Sequence, residues 1–430
     1  MPVCTFVVIA YNVERYIGRC LQSLKAQTVQ DFEVVVVNDA STDGTVKAIQ
    51  QEIDGDERFR FINKASNAGA HLARRTGAAA SQGKYVIFVD GDDSITRNCL
   101  ELLQPVLENS DYDILRFGRD VMPASSTESD VAFAYENEEM FNQGDAVLSG
   151  HEILESIYSE RTHRNTWSII DCAFNGDFVR DVFAEMTDYP LGRMQDSYEM
   201  FVLCSKARTM RMLPDVRGLR YYLGAGISGR SRETLNKFDY LQESARKDYE
   251  HVNAFARLCD EAAISECATW LGREYLRIIG NEWVTRLSPD DQATAIEHLL
   301  LSWRAKEVSD IMSDPLMARG RWLLEQDMIP AKNDEFYRWG AVFEQSVVPK
   351  LSEEQSSSYD AYYQLKHDVE QHVANIVRRR EEEARKRQLE AIKREQERGF
   401  IHRALNKVAP DGSLCRDMIR VVRAHSRRGK

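Results

Sequence analysis

Four short apolar runs rich in β-branched residues, CTFVVIA, DFEVVVVND, RFRFIN and KYVIFVD, punctuate the N-terminal part of this 430-residue chain. Each of the first three is followed by a stretch with helical periodicity: Val13 to Gln27, then STDGTVKAIQQEI, then AHLARRTGAAAS. Two parallel strands need a long crossover, and a helix fills it, so this alternation is how consecutive βαβ units read in sequence. The expected fold class is α/β, with a mainly parallel central sheet. Ser41, Thr42 and Asp43 offer side-chain oxygens where the second helix needs an N-cap.

The fourth run closes on Asp90, Gly91, Asp92 and Asp93, an apolar strand ending in like charges. In an open α/β sheet, ligands bind beyond the carboxyl ends of the strands, so these acids face the mouth of the crevice. Crowded carboxylates raise each other's pKa unless a cation compensates them, and a hard divalent ion with oxygen ligands does so. Mn²⁺ or Mg²⁺ binds such places through one or two carboxylates plus substrate phosphates, which predicts a substrate carrying a diphosphate. Gly91 is expected to let the backbone turn tightly between the acids. The competing reading is a turn and helix cap, roles in which Asp, Gly and Ser are favoured.

A formal net charge of −12 argues against a general nucleic-acid binder, because such proteins neutralise phosphates with a basic surface. The eight cysteines are widely spaced, with no C-x-x-C pair, so neither a zinc site nor a redox dithiol is expected. They read as reduced thiols of a cytoplasmic protein. MPVCTFVVIAYN has no basic start, and no stretch of the chain reaches about 18 apolar residues, so no membrane-spanning helix is expected.

Val121 to Asp145 is polar and reads as an irregular or edge-strand insertion. Gly150 to Gly229 mixes helix and strand signals, and beyond about Arg232 long helical periodicity takes over. Ser288-Pro289-Asp290-Asp291 reads as a helix start, with Ser as cap and Pro at the first helical position. Lys366 to Arg398 is a charged helix whose acids and bases recur at i,i+3 and i,i+4. In residues 401–430, Leu414, Met418 and Val421 form an apolar stripe, with Arg416, Arg420, Arg423 and Arg427 mostly off it. Such a basic amphipathic helix suits an anionic membrane surface, or docks on acidic parts of its own chain.

Four pieces recur in a recognisable order: AYNVERYI, VNDASTDGT, NAGAHLARRTG and FVDGDD, one after each strand. On these, Val3 to about Leu103 resembles the nucleotide-sugar domain of the inverting family-2 glycosyltransferases, which have the GT-A fold and act in bacterial surface-polysaccharide pathways. The resemblance implies that Ala10 and Tyr11 line the nucleotide pocket and that Asp39 accepts a hydrogen bond from the base. It implies that Asn67, Gly69 and Arg74 close over the nucleotide, that Asp90 with Gly91 lies near ribose and diphosphate, and that Asp92 holds the metal. Ile9, Asn38 and Arg75 depart from the family's usual proline, acid and asparagine.

An inverting transfer needs a base for the acceptor hydroxyl. RMQDSYEMFVL resembles the family's acidic pair, with Gln195 in place of the first acid, which makes Asp196 the candidate; Asp171, Asp177 and Asp188 are weaker ones. Asp196 or Ser197 also reads as a simple N-cap. YYLGAGISGRS stands where the family has a flexible segment, so Ser228, Arg230 and Arg232 are expected to approach the diphosphate from a lid or to form an ordinary surface loop.

The expectation is a metal-dependent inverting glycosyltransferase moving a sugar from a nucleoside-diphosphate donor, UDP first, to a hydroxyl of a glycan or lipid-linked saccharide. The cytoplasm is the expected location, with peripheral contact at the inner face of the cell membrane through residues 401–430. Expected domains are 1–230, GT-A, with 1–103 taking the nucleotide-sugar and 104–230 the acceptor; 231–365, helical; and 366–430, charged helix and basic tail. A nucleotidyltransferase is the enzyme rival, and it would want a Gly-rich, basic triphosphate loop that AYNVERYI lacks. A nucleotide-sugar-binding scaffold whose helical half mediates interactions is the non-enzymatic rival.

Overall fold

All four apolar runs form strands: β1 (Cys4–Ala10), β2 (Phe32–Asn38), β3 (Phe59–Asn63) and β4 (Tyr85–Asp90). The helices between them are α1 (Ile17–Lys25), α2 (Thr45–Ile53) and α3 (Gly69–Ala80). The structure is a computed structural model and describes residues 1–161, 166–225, 232–352 and 357–426. Val34 to Val37 are fully buried, as a parallel strand covered on both faces requires. The small side chains Ala73 and Ala78 are the buried ones that let α3 lie close on the sheet.

The chain continues through β5 (Ser94–Ile95), α4 (Cys99–Asn109), β6 (Ile114–Met122), α5 (Glu128–Phe141), β7 (Val147–Ser149), α6 (His151–Glu155), β8 (Cys172–Asn175), α7 (Gly176–Glu185), α8 (Gln195–Lys206) and β9 (Thr209–Tyr222). The strands join one sheet in the order β3-β2-β1-β4-β8-β6-β9-β5, with β7 beside β9. The β3-β2-β1-β4 half is parallel, whereas β8 joins β4 and β6 antiparallel. The expected α/β class with a parallel sheet core and a helical C-terminal region is therefore present.

Residues 128–141 correct one expectation: they are a helix, not an irregular insertion. The Thr127 side chain accepts from the amide of Asp130, and Glu128 and Asp130 occupy the first turn, where acids favour the helix dipole. Only Ala134 of this helix is buried, so no apolar stripe announces it.

Three helices follow, α9 (Leu235–Cys259), α10 (Ala262–Arg286) and α11 (Pro289–Ser302), the last capped by Ser288 as expected. α12 (Ala305–Glu325) and α13 (Glu335–Val342) precede the long α14 (Ser357–Val408) and α15 (Leu414–Ser426). The chain divides into two compact units, one of residues 1–315 with 342–353 and one of residues 316–341 with 354–430. This differs from the expected boundaries at 230 and 365. Helices α9 and α10 belong with the sheet because Phe238, Leu241, Ala245 and Val252 are buried on α9 and the Tyr275 hydroxyl bonds Ser197 of α8. In the second unit, Tyr362, Leu365, Val369 and Ile376 form the buried stripe of α14, and Tyr362 packs on Phe336 at 6.2 Å between ring centroids. Toward its C-terminal end α14 is solvent-exposed.

Candidate active site

The chain runs outward from β1 through β2 to β3, then returns to set β4 against the other side of β1. That reversal is a switch point, where the connections diverge and leave a crevice beyond the strand ends. Ile9 pairs with Asp90, so Ala10, Tyr11 and the acidic turn emerge side by side. Ala10 is buried and Tyr11 is half exposed.

The three aspartates have separate fates. Asp93 is buried and accepts a 2.9 Å hydrogen bond from the Tyr222 amide, fastening the turn to the end of β9. Asp90 accepts from Arg74 Nη2 at 2.9 Å. Asp92 stays at the rim, where burial pushes its carboxyl up to about 6, with Asp90 adding and Arg19 opposing. Arg19 donates to the Asp92 carbonyl oxygen and stacks 3.5 Å over the Tyr222 ring. Gly91 sits in the tight turn between the acids without a left-handed backbone; a Cβ there would lie 3.0 Å from the Ile9 carbonyl oxygen and 3.1 Å from Val13. It is close approach to β1 and α1 that calls for glycine.

Among the described residues no group of three or more His, Cys, Asp or Glu could cage a metal. One rim carboxylate with a raised pKa fits instead an ion held jointly with phosphate oxygens, the usual manner of Mg²⁺.

On the β2 side, Asp39 is buried and accepts from Gly69 N at 2.7 Å, from Ala68 N, and from Lys64 Nζ. The Asn67 side chain donates to the Asp39 carbonyl at 3.1 Å. Asn38, fully buried, accepts from Ser41 and donates to Asn63 at 2.7 Å, a double role that an ionised acid at this position could not fill. Arg75 donates to the carbonyl oxygens of Thr187 and Ala184. Gly69 has φ +83°, and a Cβ would stand 2.8 Å from the Leu191 carbonyl oxygen, so α3 starts hard against the lead-in to α8.

Among the described residues, the non-glycine residues with positive φ are Asn12, Ala40, Met194 and Asp260. Three of them stand where β1, β2 and the lead-in to α8 meet the crevice; such conformations persist only where the surroundings impose them.

α8 brings the candidate base. Met194 occupies the cap position with φ 76°, so neither Asp196 nor Ser197 is the cap; Asp196 lies in the first turn and accepts from the Ser197 amide at 3.0 Å. Burial pushes its carboxyl up to about 7, Arg74 opposing and Glu199 and Asp90 adding. Glu199, one turn on, is wholly enclosed: Oε2 accepts from Arg74 Nη1 at 2.9 Å and Oε1 faces His71 Nδ1 at 3.0 Å. His71 Nε2 donates to the Thr187 carbonyl at 2.9 Å, so one proton lies between the ring and Glu199.

The hub of His71, Arg74 and Glu199 escaped the sequence reading, although the i,i+3 pairs His71/Arg74 and Asp196/Glu199 were its visible signal. The weaker base candidates fall away. Asp171 is fully buried; burial raises its carboxyl, but Arg116 and Arg119 outweigh that and hold it below the usual range. Asp177 is exposed and pairs with Arg180, and Asp188 is exposed. Ser228 and Arg230 lie outside the described residues, and Arg232 is exposed.

The profile of the family described as Glycosyl transferase family 2 matches residues 5–183, which takes in β1 to β4, the acidic turn and most of α7. Residues 5–183 are a glycosyl transferase family 2 domain. An uncharacterized glycosyltransferase, EpsJ, of Bacillus subtilis is 36% identical over 118 residues, 27% of this chain and 34% of that protein. The teichoic acid poly(glycerol phosphate) polymerase of Staphylococcus epidermidis is 36% identical over 108 residues, 25% of this chain and 15% of that protein. The matched part is thus about a third or less of either relative. The crystal structure of S. aureus TarS 1-349 in complex with UDP-GlcNAc superposes with a TM-score of 0.50 at 20% identity, covering 80% of this chain and 91% of that one. At that identity it speaks to the fold, and it extends the likeness beyond the family-2 domain into the helices that follow.

Proposed function

We propose that the protein is an inverting glycosyltransferase that moves a sugar from a nucleoside diphosphate, UDP first, to a hydroxyl of a glycan or lipid-linked saccharide of a bacterial surface polymer. One observation carries this reading: Arg74 bonds Asp90 on the donor strand and Glu199 on the helix of Asp196 with the same guanidinium. Donor side and base side are thereby held in one rigid frame, which a transfer between two bound substrates needs.

In the reaction, the Asp196 carboxylate takes the proton of the acceptor hydroxyl as its oxygen bonds the anomeric carbon. The bond from that carbon to the diphosphate oxygen breaks, and its electron pair leaves on the diphosphate. Attack from the face opposite the leaving group inverts the carbon through an oxocarbenium-like transition state. A base with a pKa near 7 is matched to neutral pH, ionised in part yet basic enough to accept the proton. Asp92 would hold Mn²⁺ or Mg²⁺ together with the diphosphate, and such an ion supplies charge neutralisation there. Ala10, Tyr11, Asp39 and Asn67 would border the nucleotide. Asp39 already takes Lys64 and the first amides of α3, so it would receive the base with its remaining lone pairs.

The test is UDP release from a panel of UDP-sugars, with and without Mn²⁺. Slow metal-dependent hydrolysis without acceptor supports transfer. Tight binding with no turnover under any acceptor would favour a nucleotide-sugar-binding scaffold.

A second reading concerns the tail. Among the described residues no helix is long and apolar enough to cross a membrane. On α15, Leu414, Met418 and Val421 are exposed by 86%, 70% and 59%. This stripe, in a segment where lysine and arginine outnumber acids, supports contact of residues 401–430 with an anionic lipid surface. Salt-sensitive flotation of the full chain with anionic vesicles, lost on removing residues 410–430, tests it.

A further inference from the structure

Asp248 lies in the middle of α9, is wholly enclosed, and neither of its carboxylate oxygens has a hydrogen-bond partner. Its direction follows from its neighbours on the same helix face. Ser244, one turn earlier, packs on the α8 lead-in, where its Oγ is 2.2 Å from the place a Cβ on Gly192 would take. His251, three residues later, packs on the rings of Tyr189 and Tyr198, with centroids 5.4 and 6.0 Å away. Asp248 therefore faces the stretch between Tyr189 and Tyr198, the lead-in and first turn of α8, which contains Asp196.

An ionised carboxylate without a cation or a donor in such a place is costly, and a buried acid in that position keeps its proton. The charged groups acting on Asp248 are Asp196 and Glu199 from α8, both of like sign, and burial with these two raises its carboxyl well above the usual range. From α3, Arg74 and His71 are committed to Glu199 and Asp90. From α10, the Tyr275 hydroxyl is spent on Ser197. On α9 itself, Tyr249 packs on the Tyr275 ring at 6.1 Å and Lys247 pairs with Glu250.

We infer that Asp248 is a positioning residue for the base: a neutral carboxylic acid beneath the first turn of α8 that lends its proton, as a hydrogen bond, to ionised Asp196. The two carboxyls then titrate as a coupled pair holding one proton between them, and Asp196 can be ionised near neutrality despite its burial. This adds to the base on α8 a second carboxyl from α9, a helix that begins at Leu235. The inference rests on Asp196 being the base, so its test has one arm independent of turnover.

That arm is infrared spectroscopy at pH 8: wild type minus Asp248→Asn should show the C=O band of a protonated carboxyl, with the sign of a group lost in the variant. No such band overturns the proposal whatever Asp196 does. The second arm is the pH–rate profile of UDP release. Asp248→Asn keeps a donor and should keep the wild-type midpoint; Asp248→Leu removes it and should move the midpoint up by about one pH unit, with turnover at pH 7 down about tenfold. A downward shift in Asp248→Asn would mean a charged Asp248, and an unmoved midpoint in a folded Asp248→Leu would mean a spectator; either overturns the proposal. If Asp196→Asn retains full activity, it is the base assignment that fails, a result distinct from these.

Discussion

Arg74 and Glu199 stand 125 positions apart in the chain and meet at 2.9 Å in an ion pair almost closed to solvent. The other arm of Arg74 reaches Asp90, also at 2.9 Å. Glu199 takes His71 on its second oxygen, and loss of Arg74 would take the guanidinium from both Glu199 and Asp90 at once.

Arg74→Lys should therefore behave as a severe change despite conserving charge. A single ammonium cannot reproduce the guanidinium fork across two carboxylates. The expected loss is about 3 kcal/mol in denaturant unfolding, with turnover falling further than stability explains. A variant as stable and active as wild type would show that the hub is ornamental.

Turnover should rise with pH through a midpoint of about 7, the Asp196 carboxyl, falling about tenfold per unit on the acid side. Stability should show the opposite dependence from this group. Its folded-state pKa lies above the unfolded value of about 3.9, so the native state binds the proton more readily between the two. The ionised form costs stability that grows as pH rises from about 4 to 7. Asp196→Asn should accordingly gain on the order of 1–3 kcal/mol relative to wild type at pH 8, and little at pH 4, in urea unfolding curves.

Gly69→Ala meets two obstacles at once, φ of +83° and the Leu191 carbonyl oxygen 2.8 Å from the new methyl group. A loss of about 2 kcal/mol or more is expected, with weaker UDP binding because the start of α3 also positions Asp39. Unchanged thermal unfolding would contradict the close packing of α3 on the lead-in to α8.

The first hundred or so residues were legible because strands buried on both faces read as unbroken apolar runs. The acids after Asp90 were legible as a rim, but not that Asp93 is spent on Tyr222 while Asp92 stays at the rim, since that depends on the distant end of β9. α5 left no stripe because it buries only Ala134, and its cap Thr127 was the one clue. That the first compact unit continues past residue 230 was not legible for a related reason. Long helices look autonomous in sequence, while the contacts that bind them to α8, Ser244 on Gly192, Arg193 with Glu282, and Tyr275 on Ser197, are tertiary.

Asp92→Asn should abolish the dependence of turnover on Mn²⁺ together with most of the turnover, leaving the unfolding midpoint within the range of a surface substitution, about 0.5 kcal/mol. Retained metal-dependent turnover would move the ion to other ligands.

In the proposed reaction, donor binding belongs to the β1–β4 rim and proton removal to Asp196. Calorimetric titration of UDP-sugar into wild type and Asp196→Asn, paired with turnover of the same preparations, separates the two roles. The predicted result is a Kd unchanged within about threefold and turnover reduced by about 10²–10⁴, the usual worth of a positioned base. Turnover in Asp196→Asn equal to that of wild type, or a Kd lost together with turnover, would contradict it.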